Sequence, residues 1–223
     1  MKTYKLHLIR HGLTRANLEG IYAGSGTDLP LCPEGIAQLE ELKKEFRYPN
    51  VGLVLTSPML RARQTADILF PGVQQIGLND LREIDFGAFE GKSAAQLQND
   101  PAFHDWLDPE KQTTPPGGES GRDFAQRCSL ALQRMCEFLL KSDTKEIAVV
   151  THGGLIMTAL AMHAVPEREP QLWACDPGCG FTVLTSAASY MRDGIVEATN
   201  IVPYGYCEPA PQAEDDYDIS QDI

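Results

Sequence analysis

Two histidines in this chain end apolar runs in matching surroundings, Leu8-Ile9-Arg10-His11-Gly12 and Val150-Thr151-His152-Gly153-Gly154. An imidazole can serve as nucleophile, proton carrier or metal ligand near neutral pH. One histidine at such a place carries little information, because single-residue matches are common. Two of them, each followed by a glycine that lets the backbone turn and approach a ligand, and one preceded by arginine, point to a shared crevice at strand ends. Arg61 is the third piece, within Ser57-Pro58-Met59-Leu60-Arg61-Ala62-Arg63-Gln64-Thr65-Ala66, directly after another apolar run. A helix starting there offers free N–H groups and a positive dipole end, and a guanidinium adds bidentate donors, so the ligand this trio suits is an anion. Arg63, on the same segment, is assigned to solvent or a surface ion pair.

The elements that must carry these residues alternate. Strands are expected over 4–9, 51–55, 146–150, 181–185 and 195–201, with a turn at Asp193-Gly194 before the last. Helical spacing of Ile36, Leu39, Leu42 and Phe46 predicts a helix over 33–46. Ser57 as N-cap and Pro58 at the first helical position predict a helix to residue 69. A third spans 120–140, with Phe124, Cys128, Ala131, Met135 and Phe138 on one face and a capping-box-like Ser120/Asp123 start. A fourth covers 154–163. The alternation predicts an α/β fold, a layered α/β/α sandwich whose mostly parallel central sheet is flanked by helices. Residues 81–118, irregular and rich in Pro and Gly, are expected to wall or cover one edge.

The 223 residues suit one substantial core, with a hydrophobic fraction of 43% and a charged fraction of 22% typical of globular proteins. No apolar stretch approaches the ~20 residues of a membrane-spanning helix. The first residues run straight into a strand without a cleavage-site pattern, so a cytoplasmic protein is expected. Its six cysteines are then reduced thiols, and the Cys175/Cys179 pair lacks matching partners for a zinc site. A net charge of −12 argues against nucleic acid. Six acids lie beyond Pro203 with no Lys or Arg, so residues 1–203 are read as the folded domain and 204–223 as an acidic, disordered tail.

Four ordered segments, 8–17 (Leu-Ile-Arg-His-Gly-Leu-Thr-Arg-Ala-Asn), 57–66, 81–91 (Leu-Arg-Glu-Ile-Asp-Phe-Gly-Ala-Phe-Glu-Gly) and 150–154, together resemble the histidine phosphatase superfamily, which also contains the cofactor-dependent phosphoglycerate mutases. The resemblance spans roughly residues 4 to 200. It implies a metal-free, cofactor-free phosphate pocket built from Arg10, His11, Arg61, His152 and Gly153. By the same resemblance Asn17 touches the phosphate and Glu83 is the proton donor, with Asp85 and Glu90 as neighbouring rivals.

A phosphoryl group in transfer spreads charge over its equatorial oxygens, so catalysis is mostly positioning and electrostatic stabilisation. Arg10, Arg61 and a protonated His152 would supply the positive charge. His11 must be neutral to attack phosphorus, and two guanidiniums nearby disfavour its charged form. The implied activity is hydrolysis of a small phosphomonoester through a phosphohistidine, with a monomer or homodimer, no membrane and no nucleic acid expected. The segments 22–31, 83–87 and 116–120 look most like α-ribazole-5′-phosphate phosphatases of cobalamin biosynthesis, and broad-specificity phosphatases share most of them. The alternatives are a mutase and a catalytically silent phospho-ligand binder. Ala23 stands where the mutases often carry a hydroxyl, Leu13 replaces an acid or Gln, and Cys32 sits where Thr commonly caps a helix. Phe86, Phe89, Phe103 and Trp106 suggest an apolar or aromatic substrate body, with some of the four belonging to the core.

Overall fold

The structure is a computed structural model that describes residues 2–108, 110–186, 190 and 194–207. In chain order the elements are β1 (Thr3–Arg10), α1 (Arg15–Leu18), α2 (Pro33–Glu45), β2 (Leu53–Thr56), α3 (Leu60–Leu69), β3 (Gln74–Gly77), α4 (Ala94–Leu97), α5 (Pro101–Leu107), α6 (Gly121–Lys141), β4 (Glu146–Thr151), α7 (Gly153–His163), β5 (Ala164–Val165), β6 (Gly180–Ser186) and β7 (Val196–Val202), with short 3₁₀ turns between some of them. Among the described residues seven strands make one sheet in the order β3-β2-β4-β1-β6-β7-β5. Pairing is parallel from β3 through β1 and again between β7 and β5, and antiparallel on both sides of β6.

Strand alternation explains the layers. Leu6 and Leu8 of β1 and Ile147 and Val149 of β4 point into a core shared with α6 and α7. Ile9 of β1 and Ala148 and Val150 of β4 point into a second core with Leu39 of α2 and Ala62, Ala66 and Leu69 of α3. The central strands are thus apolar on both faces, as a sheet covered by helices on each side requires. This is the expected three-layer α/β/α arrangement.

Local chemistry sets the helix ends. Ser120 caps α6 by accepting from the Asp123 N–H at 3.0 Å and donating to its carboxylate at 2.7 Å. Residues Phe124, Cys128, Ala131, Leu132, Met135, Cys136 and Leu139 bury at helical spacing, whereas Phe138, assigned to that face, is exposed. Cys32 does cap α2, weakly, its sulfur taking the Gly35 N–H at 3.4 Å.

The start of α3 corrects the sequence reading. Ser57 is not its N-cap; the helix begins at Leu60 after Met59. Two edge strands, β3 and β5, carry no alternating apolar signal and have no counterpart in the predicted set.

The turn residue Asp193 and the acidic stretch 208–223 lie outside the described residues. Residues just past 203 pack on the body: the Tyr204 N–H bonds the Arg47 carbonyl at 2.9 Å, and the Tyr206 hydroxyl donates to Asp176 at 2.5 Å. No described helix is long and apolar enough to cross a membrane.

Candidate active site

Strand register brings the chemistry together. Ile9 pairs with Val150 and Arg10 with Thr151, while Thr56 of β2 pairs with Val150 from the other side. His11, His152 and Ser57 therefore leave three adjacent parallel strands at one level. The His11 N–H bonds the Thr151 carbonyl and the Ser57 N–H bonds the Val150 carbonyl, each at 2.9 Å. The two imidazoles meet edge to face with centroids 5.1 Å apart.

His11 is buried, and its Nδ1 lies 2.7 Å from the Gly12 carbonyl oxygen. A carbonyl can only accept, so Nδ1 carries the proton and Nε2 presents a lone pair. Burial, then the Arg61 guanidinium and more weakly Arg10, pull its pKa down to about 3, against an opposing contribution from that carbonyl. The turn is held by Thr65, whose hydroxyl accepts from the Gly12 N–H at 2.9 Å and donates to the Arg61 carbonyl at 2.7 Å.

His152 corrects an expectation. Burial first, then His11, Arg61, Arg127 and Arg10, hold its pKa well below the ordinary value, so the ring is neutral rather than cationic. Its Nε2 lies 2.8 Å from the Ser57 hydroxyl, and its buried Nδ1 has no protein partner.

The arginines enter from different sides. Arg10 donates to the Cys175 carbonyl at 2.8 Å. Arg61, 1% exposed, donates to the carbonyls of Thr27, Ala23 and Gly24. Those three bonds leave Nε–H and one Nη1 proton of its five donors for a ligand. Gly153 opens α7 next to Arg10; a Cβ there would stand 3.4 Å from Arg10 Nε.

Glu83 reaches the first turn of α7, where its carboxylate accepts from the N–H groups of Gly154 at 3.1 Å and Ile84 at 3.0 Å. A Cβ at Gly154 would meet Glu83 Oε1 at 2.5 Å, so a larger residue there would push the carboxylate from its place. Burial raises the Glu83 pKa, opposed by those two N–H groups and by Arg61 and Arg10. The rival acids are occupied elsewhere. Glu90 accepts from Gly24 N, Gly26 N, Phe86 N and the Thr27 hydroxyl, and Asp85 accepts from Gly87 N in its own turn.

Asn17 does not join the cluster through its carbonyl oxygen, which takes the Thr14 N–H and hydroxyl at 2.9 Å each and caps α1. The four aromatics divide between core and surface, as expected. Phe89 and Phe103 are buried in a small separate core with Leu97, against which Tyr22, Phe86 and Trp106 pack. Only the last three are accessible enough to meet a ligand. Among the described residues no group of three or more His, Cys, Asp or Glu could hold a metal ion.

Two site residues escaped the sequence reading. Arg127, mid-helix in α6, donates to the carbonyls of Asp80, Arg82 and Glu83 and grips Glu119 at 2.6 Å, fastening the segment that carries Glu83. Its only signal was an arginine one position before Cys128 on an otherwise buried stripe. Ser57 was read as a helix cap.

A mixed α/β sheet with two buried imidazoles, two guanidiniums and a carboxyl at its parallel strand ends is that of an α/β phosphatase. The chain matches the profile of the histidine phosphatase superfamily (branch 1) over residues 6–191, and it belongs to that superfamily. The adenosylcobalamin/alpha-ribazole phosphatase of Salmonella typhimurium is 32% identical over 180 residues, 78% of this chain and 87% of that protein. The crystal structure of the alpha-ribazole phosphatase from Shigella flexneri is similar with a TM-score of 0.75 at 25% identity, covering 87% of this chain and 94% of that one. A phosphoglycerate mutase from Thermus thermophilus is similar with a TM-score of 0.61 at 32% identity, covering 88% of this chain and 97% of that one.

Proposed function

We propose that this chain hydrolyses a small phosphomonoester through a phosphohistidine at Nε2 of His11, with residues 1–203 as the catalytic unit. The observation that carries the reading is the buried, neutral His11 with a bare Nε2 beside Arg10, Arg61 and His152. In the first step the Nε2 lone pair attacks phosphorus and the bond to the leaving oxygen breaks. Glu83, whose raised pKa favours the acid form, gives that oxygen its proton. In the second step water attacks the phosphohistidine, Glu83 takes a proton back, the P–N bond breaks and inorganic phosphate leaves. Arg10, Arg61, Gly153 and the His152 N–H bind the equatorial oxygens, and no cofactor takes part.

α-Ribazole-5′-phosphate is our candidate substrate. The relatives named for that compound support it, and so does the wall: Phe86 stands against Gly24, whose carbonyl accepts from Arg61, so an aromatic edge borders the phosphate pocket. Residues 81–116 carry Arg82, Lys92 and Lys111 against seven acids, a charge count that repels a triply charged sugar acid. The test is turnover across p-nitrophenyl phosphate, α-ribazole-5′-phosphate, phosphoserine and 3-phosphoglycerate with 2,3-bisphosphoglycerate present. Hydrolysis should exceed mutase turnover; phosphoglycerate interconversion faster than every hydrolysis would overturn the reading.

A further inference from the structure

Ser57 is fully buried at the end of β2, three residues before α3 begins. Its hydroxyl oxygen accepts from the Met59 N–H at 3.3 Å and lies 2.8 Å from His152 Nε2. A serine hydroxyl has a single hydrogen to give. Met59 N–H can only donate, so the acceptor on offer for that hydrogen is His152 Nε2. Were Nε2 protonated instead, Ser57 would accept twice and its own hydrogen would be stranded in a buried place, an arrangement folded proteins avoid.

The other nitrogen of His152 agrees. Nδ1 is buried without a protein partner, in a ring whose centroid lies 5.1 Å from that of His11. A lone pair at Nδ1 would repel the oxygens of a phosphoryl group held between the rings, whereas an N–H would bond them.

We infer that Ser57 is a positioning residue that selects the tautomer of His152: its O–H donates to Nε2, so the ring's proton sits on Nδ1 and faces the phosphoryl oxygens. The two histidines then share one tautomer and do opposite work. His11 is tied through Nδ1 to the Gly12 carbonyl and shows the pocket a lone pair. His152 is tied through Nε2 to a hydroxyl and shows the pocket a donor. The partner atom, not the residue type, makes one a nucleophile and the other an electrophile. The assignment of a role to the Nδ1–H rests on the proposed phosphoryl chemistry; the tautomer itself does not.

The experiment is a long-range ¹H–¹⁵N correlation spectrum of the histidine rings in the full chain, for wild type, Ser57→Ala and Ser57→Thr, beside kcat and KM on one phosphomonoester. Wild-type His152 should show a protonated Nδ1 and a bare Nε2. Ser57→Ala should move the ring towards the other tautomer and lower kcat at least tenfold, less than the ~10²–10³ of deleting a donor outright, with a smaller change in KM. Ser57→Thr, which keeps the hydroxyl, should restore both. A wild-type His152 protonated on Nε2 would overturn the inference. So would a Ser57→Ala protein with unchanged spectrum and kcat. The wild-type spectrum needs neither substrate nor variant, so it decides even if Ser57→Ala folds poorly. Should the enzyme hydrolyse no phosphomonoester, the proposed function falls while the tautomer assignment stands or falls on the spectrum alone.

Discussion

The Nδ1–H of His11 donates to the carbonyl oxygen of Gly12 across 2.7 Å, and this one bond turns the Nε2 lone pair of His11 to the pocket. His11→Ala removes the proposed nucleophile. It should lower kcat by at least ~10³ and abolish the acid-labile, alkali-stable phosphoenzyme trapped by rapid quench. Near wild-type turnover in the variant would end the covalent mechanism.

Glu83 should matter in proportion to the leaving group. p-Nitrophenolate departs without a proton and an alkoxide does not, so Glu83→Gln should cost an alkyl phosphate ~10² or more in kcat and p-nitrophenyl phosphate much less. Because the Glu83 pKa is raised, the acid form survives above the usual carboxylate range, and kcat for the alkyl ester should fall on the alkaline side as Glu83 ionises. Equal losses on both substrates would remove Glu83 from the acid role.

Stability should also report on His11. Its folded pKa, about 3, lies below the unfolded value of 6.5, so below pH 6.5 the unfolded chain binds a proton that the folded protein refuses. The contribution is whole above pH 6.5 and is lost as pH falls towards 3. Between pH 7 and pH 5 the loss amounts to about 2 kcal/mol. Urea unfolding at the two pH values should show a drop smaller by about that amount in His11→Gln than in wild type. An identical drop would contradict a neutral, buried His11.

Arg127 acts at a distance through backbone. Arg127→Met removes the guanidinium that lies over the Phe124 ring, releases the carbonyls of Asp80, Arg82 and Glu83 and leaves Glu119 without its ion-pair partner. The expected result is kcat lower by ~10- to 10²-fold with little change in KM, because small displacements of a proton donor are costly. Arg127→Lys should not rescue it, as an ammonium cannot span those acceptors. Wild-type kcat in either variant would show that Glu83 is positioned without Arg127.

Activity should survive exhaustive dialysis against a strong chelator, since the positive charge of the pocket comes from Arg10 and Arg61. Vanadate should inhibit competitively by matching the five-coordinate transition state. Activity lost to chelator and restored by Mg²⁺ or Zn²⁺ would place the chemistry in a different class.

The sequence made the strand-end histidines legible because each closes a run of apolar residues that only a doubly covered strand can bury. Arg61 was legible for the same reason, at the start of a helix after such a run. Arg127 was not: its acceptors are backbone carbonyls 44 to 47 residues away, and no side-chain pattern encodes a carbonyl. Ser57 was misread because Ser-Pro is a strong local helix start, and a tertiary bond to His152 outweighed it. The edge strand β3 is invisible for want of a buried face, Gln74–Gly77 being largely exposed, and β5 is only two residues long. The charge state of His152 needed burial to be known, which spacing cannot supply.

The small core of Phe89, Leu97 and Phe103 shares no residue with either of the two large ones. The aromatic group that sets Phe86 against Gly24 thus packs on a core of its own. Exchanges among Tyr22, Phe86 and Trp106 can reshape what is admitted without disturbing the strands that hold the two imidazoles. A lineage built this way can change diet while keeping its teeth.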